Sequence, residues 1–173
     1  MSNPIISFIS SAVKTTNWLD LYKNLTDNNH VSFEIVFVGD TAPEFPLPDN
    51  FRHILLDSCP VKCIETAFRN CTGDYVFFAA DDYIFSPWSI LDKLYYYARR
   101  LSGDFVILTR FTDRNDAVLQ DEAMTFSLEV PISPLISCNC FMKRSVWENV
   151  GGIDKRFDTS WGDLDLVMRV YEA

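Results

Sequence analysis

The sequence predicts an α/β domain whose central sheet is mostly parallel, flanked by helices, and mixed toward its C-terminal part. Three observations predict it. Short apolar runs alternate with segments of helical spacing as far as residue 110, the pattern of successive βαβ units. The run Val76 to Ala80 is apolar without interruption, as a strand covered on both faces must be. Beyond residue 110 the alternation breaks and two strand-like segments follow one another, so the sheet is expected to become mixed there.

Taken in order, Pro4 to Ser10 reads as the first strand. Asn17 to Leu25, apolar at 18, 19, 21, 22 and 25, reads as the helix after it. Phe33 to Val38 is a second buried strand ending at Gly39-Asp40, and the prolines of 43–50 exclude a helix or a central strand. Phe51 to Leu56 is a third strand. Val61 to Cys71 is a helix closed by Gly73, a residue that takes the left-handed conformation many helix ends need. The fourth strand runs into Asp81-Asp82. Ser86-Pro87 then offers an N-cap hydroxyl and a first-turn proline to a helix reaching Leu101, with basic residues in its last turn. Asp104 to Thr109 is a fifth strand and 111–123 a polar loop. Thr125 to Val130 and Leu135 to Met142 are strand-like, separated by Pro131 and Pro134. Ser145 to Val150 is a short helix stopped by Gly151-Gly152. A last helix starts at Asp163, with two acids in its first turn complementing the dipole.

The chain has 173 residues, enough for one domain with a real core. Its net charge of −9 lacks the Lys/Arg footprint that phosphate backbones require, which disfavours nucleic acid, and no nucleic-acid partner is expected. A chain this acidic needs a metal ion or a few local cations to handle an anionic nucleotide. Its five cysteines include no Cys-x-x-Cys pair, and no His stands at ligand spacing, so reduced thiols are expected rather than zinc. Ile5 to Ile9 has no basic segment before it and no cleavage site after it. No stretch approaches the roughly 20 apolar residues of a membrane span. A cytoplasmic protein is expected.

Acids stand at three element ends: Asp40 after the second strand, Asp81-Asp82 after the fourth, and Asp163 with Asp165 at the last helix start. Ligands of open α/β sheets bind at the carboxyl ends of the strands. Two adjacent acids there suit a hard divalent cation that bridges to phosphates. Asp is also a common turn residue, so a solvated strand end fits the same letters.

In this order the segments resemble the family 2 glycosyltransferases, enzymes of the GT-A fold that move a sugar from a nucleotide donor to an acceptor. Phe33 to Asp40 resembles the strand that ends in acids and holds the donor's base. Ala67 to Asp82 resembles the metal segment, Val150 to Phe157 the Val-Gly-Gly-Phe-Asp segment, and Trp161 to Arg169 the Asp-x-Asp-Leu-x-x-Arg segment. The resemblance implies one domain over 1–173, with a nucleotide-binding half (1–110) and an acceptor and catalytic half (111–173). Relatives usually continue past the point matching Ala173, so a piece of a longer protein is expected.

By resemblance, Asp82 with Asp81 holds Mn2+ or Mg2+, Asp81 also meeting the ribose, and Asp40 accepts from the donor's base. Ser10 lines the nucleotide crevice, and Asp163 is the base of an inverting transfer. The donor is a nucleotide-diphosphate sugar, a UDP-sugar by preference. The acceptor is a sugar, a glycan or a lipid-linked hydroxyl. Departures stand beside these matches. Gly39 replaces the first acid of the second-strand pair, Ala80 replaces the first acid of the metal triplet, and Ile64 and Glu65 replace a basic and an amide residue. That leaves Lys62 as the nearest cation in sequence. Asp163 also suits a helix cap, Ser10 and Asp40 suit turns, and Trp161 suits either an acceptor sugar or the core. Asp165 points to another side of its helix and reads as structural. Two other readings stay open. A sugar-phosphate nucleotidyltransferase would need a glycine-rich loop that Ser10 to Val13 lacks, and a degenerate, non-catalytic domain fits Gly39 and Ala80.

Overall fold

The computed structural model describes residues 3–27, 29–83, 85, 89–108, 139–159 and 161–173. The apolar runs form the middle of one six-stranded sheet among these residues. β1 (Ile6–Ser11), β2 (Phe33–Gly39), β3 (Phe51–Leu55) and β4 (Tyr75–Phe78) are parallel; β5 (Val106–Leu108) and β6 (Cys140–Lys143) complete the order β3-β2-β1-β4-β6-β5. β6 runs antiparallel to both neighbours, pairing Phe78 with Cys140 on one side and Leu108 with Cys140 on the other. The sheet is therefore mixed where the alternation of the sequence broke.

Each strand of the central four is covered on both faces, which is why β2 is buried along its whole length. One face carries Phe8, Ile35, Phe37, Phe77 and Phe141 against α1 (Trp18–Thr26) and α3 (Ile90–Ala98). The other carries Val36, Val38, Val76 and Met142 against α2 (Pro60–Asn70), α4 (Arg144–Asn149) and α5 (Gly162–Glu172). Trp147 stacks on Phe68 with ring centroids 4.9 Å apart, joining α4 to α2. No helix among the described residues is long and apolar enough to cross a membrane.

Three expectations shift. The strand expected over 76–80 ends at Phe78, where pairing with both Ile9 and Cys140 stops. The helix expected to reach Leu101 ends at Ala98: Arg99 N–H still meets the Tyr95 carbonyl, but Arg100 N–H takes the Tyr97 carbonyl three residues back, tightening the end into a turn. Its basic residues thus follow the last turn. The last expected strand, Leu135 to Met142, runs over Cys140–Lys143 among the described residues, one residue past Met142, and Lys143 then caps α4. The expected cap Ser86-Pro87, the polar loop 111–123 and the strand 125–130 lie outside the described residues.

Candidate functional site

The four parallel strands end on one rim, and the loop after β1 forms its floor. Ala12 continues the ladder by donating to the Val38 carbonyl at 2.9 Å. This brings the backbone of Ala12 against Gly39 so closely that a Cβ on Gly39 would lie 1.8 Å from the Ala12 carbonyl oxygen. The missing acid at position 39 is thus a steric requirement of this chain.

Asp81, three residues past the end of β4, is buried and fixes the same loop. Its Oδ2 accepts from the backbone N–H of Val13 at 2.9 Å, from that of Lys14 at 2.8 Å and from the Trp18 indole at 2.9 Å. A carboxylate taking three N–H donors on one oxygen is an anchor. Asp82 is the outward acid of the pair: its side chain is 25% exposed, and its Oδ2 pairs with the Lys14 ammonium. The cation paired with Asp82 is Lys14, from the loop after β1. Proximity in sequence gave no sign of it.

Asp40 is exposed at the end of β2 and accepts from the Thr41 hydroxyl at 2.9 Å. Cys63 of α2 lies within reach of its charge. Burial pushes that thiol up, the Ser11 hydroxyl opposes this, and Cys59 and Asp40 push the same way as burial. Ser10 is 1% exposed and its hydroxyl donates to the Ser11 carbonyl at 2.9 Å. The neighbouring backbone of Val13 and Lys14 is instead held by Asp81.

Asp163 comes to the same rim through helix packing. Gly162 rests on the first turn of α2, where a Cβ would come within 3.1 Å of Val61 Cγ2. The N-cap of α5 is Trp161, in the left-handed region at φ 72° and 66% exposed. That conformation costs a bulky residue about 1–2 kcal/mol. Asp163 thus lies inside the first turn, half-buried, its Oδ1 accepting the Leu164 N–H at 2.9 Å. Asp165 does different work. It holds Arg169 Nε at 2.8 Å, and the Arg169 guanidinium reaches the carbonyls of Val150 and, at 2.8 Å, Gly152. The Gly151-Gly152 turn, with both φ near +80° (83° and 74°), is thereby locked to α5. Two separate sequence segments are one structural unit. Nearby, the Arg156 guanidinium holds the partly buried Asp154 carboxyl down to about 2.

Among the described residues no three His, Cys, Asp or Glu side chains gather to hold a metal alone. A magnesium-like ion takes one or two carboxylates and completes its shell from substrate phosphates and water. The outward, partly solvated Asp82 fits that requirement; Asp81 Oδ2 is already fully engaged.

No protein-family model matches the chain, and no curated protein matches it in sequence. Solved structures match its fold. It is similar to S. aureus TarS 1-349, 15% identical with a TM-score of 0.65, over 96% of this chain and 55% of that one. It is similar to the same protein in complex with UDP-GlcNAc, 16% identical with a TM-score of 0.63, over 96% and 53%. It is also similar to the mannosyltransferase PcManGT from Pyrobaculum calidifontis in complex with GDP-Man and Mn2+, 12% identical with a TM-score of 0.68, over 98% and 52%. The chain spans about half the length of these solved chains. At such identities the likeness is one of fold, a GT-A-like α/β sheet.

Proposed function

We propose that this chain carries the nucleotide-sugar site of a metal-dependent, inverting glycosyltransferase that moves a sugar to a hydroxyl acceptor, with a UDP-sugar as the favoured donor. The observation that supports it is the gathering of Asp40, Asp82 and the N-terminus of α5 on the rim where the parallel strands end. Asp40, exposed after β2, accepts a hydrogen bond from the donor's base. Asp82 holds Mn2+ or Mg2+. A cation bound there supplies Lewis-acid neutralisation of the charge that grows on the leaving diphosphate.

Asp81 serves this site by fixing the loop from Ala12 to Lys14. Its Oδ1 is left to meet water or the ribose. Asp163 takes the proton of the acceptor hydroxyl at its carboxylate as the sugar is transferred, a role worth about 10²–10⁴-fold. Trp161, exposed beside it, offers a flat apolar face to an acceptor sugar. The acceptor is a sugar, a glycan or a lipid-linked hydroxyl, met at the start of α5 by Asp163 and Trp161.

Calorimetric titration of UDP-sugars and GDP-sugars, with and without Mn2+, tests this reading. Metal-dependent binding with slow donor hydrolysis is the expected result. The second reading, a non-catalytic binding domain, is favoured by the closed space at Gly39, and absence of binding at every metal concentration would support it.

A further inference from the structure

We propose that Lys14 is the resident counter-cation of Asp82, occupying that carboxylate until a nucleoside diphosphate arrives, so that metal and donor load together. The inference rests on Asp82 being the metal-holding acid and adds a regulation of that site. The geometry that carries it is double. The Lys14 side chain pairs with Asp82 Oδ2, while the Lys14 backbone N–H is fixed on Asp81 Oδ2 at 2.8 Å. Neighbouring Val13 and Trp18 bind that same buried oxygen. The backbone of the lysine is thus fixed on a buried carboxylate, while its side chain is 58% exposed.

An ammonium and a divalent ion both seek the same carboxylate oxygen and repel each other. A cation arriving alone must displace Lys14 and leave two like charges beside one acid. A diphosphate arriving with it brings the negative charge that both positive groups need, and lysine binds phosphate well as a point charge. The chain's net charge of −9 sharpens the need for such a local cation at a site meant for an anion.

The test is a titration with Mn2+ alone, following free Mn2+ by electron paramagnetic resonance, then a repeat with UDP present. Lys14→Met should bind Mn2+ alone about tenfold more tightly than the wild type, the scale of removing a unit charge a few ångströms from a divalent ion. It should also lose most of the gain that UDP gives the wild type, and Lys14→Arg should restore it. Equal Mn2+ affinity of wild type and Lys14→Met overturns the proposal, as does metal-free UDP binding that Lys14→Met abolishes. Asp82→Asn separates the two readings. If it binds Mn2+ as the wild type does with UDP present, the Asp82 assignment itself falls, and this inference with it.

Discussion

The wholly buried indole of Trp18 donates to Asp81 Oδ2 at 2.9 Å, so the first acid after β4 is bonded to the core beneath the loop that it also holds. Asp81→Ala would orphan three N–H groups, one of them deep inside. It should lose about 3 kcal/mol in urea unfolding, whereas Asp81→Asn, which keeps an acceptor, should lose about 1 kcal/mol. An alanine variant with the wild-type midpoint would remove Asp81 from the anchoring role.

Asp163 and Asp165 should separate cleanly. Asp163→Asn is expected to lose sugar transfer by at least about 10²-fold with donor affinity kept, since the base and phosphates are held elsewhere. Its melting temperature should barely move, because the N-cap of α5 is Trp161. Asp165→Asn frees Arg169 from its ion pair and loosens the Gly151-Gly152 turn, a partly exposed arrangement worth about 1 kcal/mol. Transfer assays with labelled donor, read beside thermal melts, check both. Wild-type turnover in Asp163→Asn would place the base elsewhere.

Gly39→Asp would supply the acid that the resembling family carries, and is expected to harm the protein. Its Cβ would meet the Ala12 carbonyl oxygen at 1.8 Å, a backbone atom that can yield only by breaking its loop. A loss of about 3 kcal/mol or more is expected in urea unfolding. Improved nucleotide affinity in a stable Gly39→Asp variant would refute the steric account.

Acid stability draws on Glu34, near the start of β2 and so at the opposite end of the strands from the rim. Burial pushes its carboxyl up, but the Thr72 N–H, the Ser7 and Thr72 hydroxyls and the Arg52 guanidinium together hold it below its ordinary 4.5. The folded chain therefore releases this proton more readily than the unfolded one. The resulting stabilisation is complete above about pH 4.5 and is lost as pH falls through the lower folded value. Glu34→Gln should flatten the acid limb of a stability-pH profile and cost about 2 kcal/mol at pH 7. An acid limb that keeps its slope would assign the sensitivity to another group.

The parallel half of the fold was legible because β2 and β4 are sandwiched, and a sandwiched strand must be apolar throughout. Helix positions followed from spacing for the same reason. The insertion of β6 between β4 and β5 was not legible, since an apolar run carries no record of its partner or direction. The acids of the rim were found by their place at strand ends. Their division of labour was not: Asp81 and Asp82 are adjacent letters, but one faces the Trp18 indole and the other the Lys14 ammonium. In sequence Gly39 is a lost acid; only the approach of Ala12 makes it a necessity. The Arg169 clamp likewise joins two segments that nothing local connects.

The place of β6 bears on how the chain is made. β4 has β1 on one side as soon as it emerges, but its other edge must wait for Cys140–Lys143, roughly 60 residues later. At the usual pace of translation of about 5–20 residues per second, that edge of Tyr75–Phe78 stays open for several seconds. An unpaired, wholly apolar edge is the part of a nascent sheet most prone to take a wrong partner. The ribosome-bound intermediate, rather than the finished protein, is therefore where this fold is most exposed to aggregation.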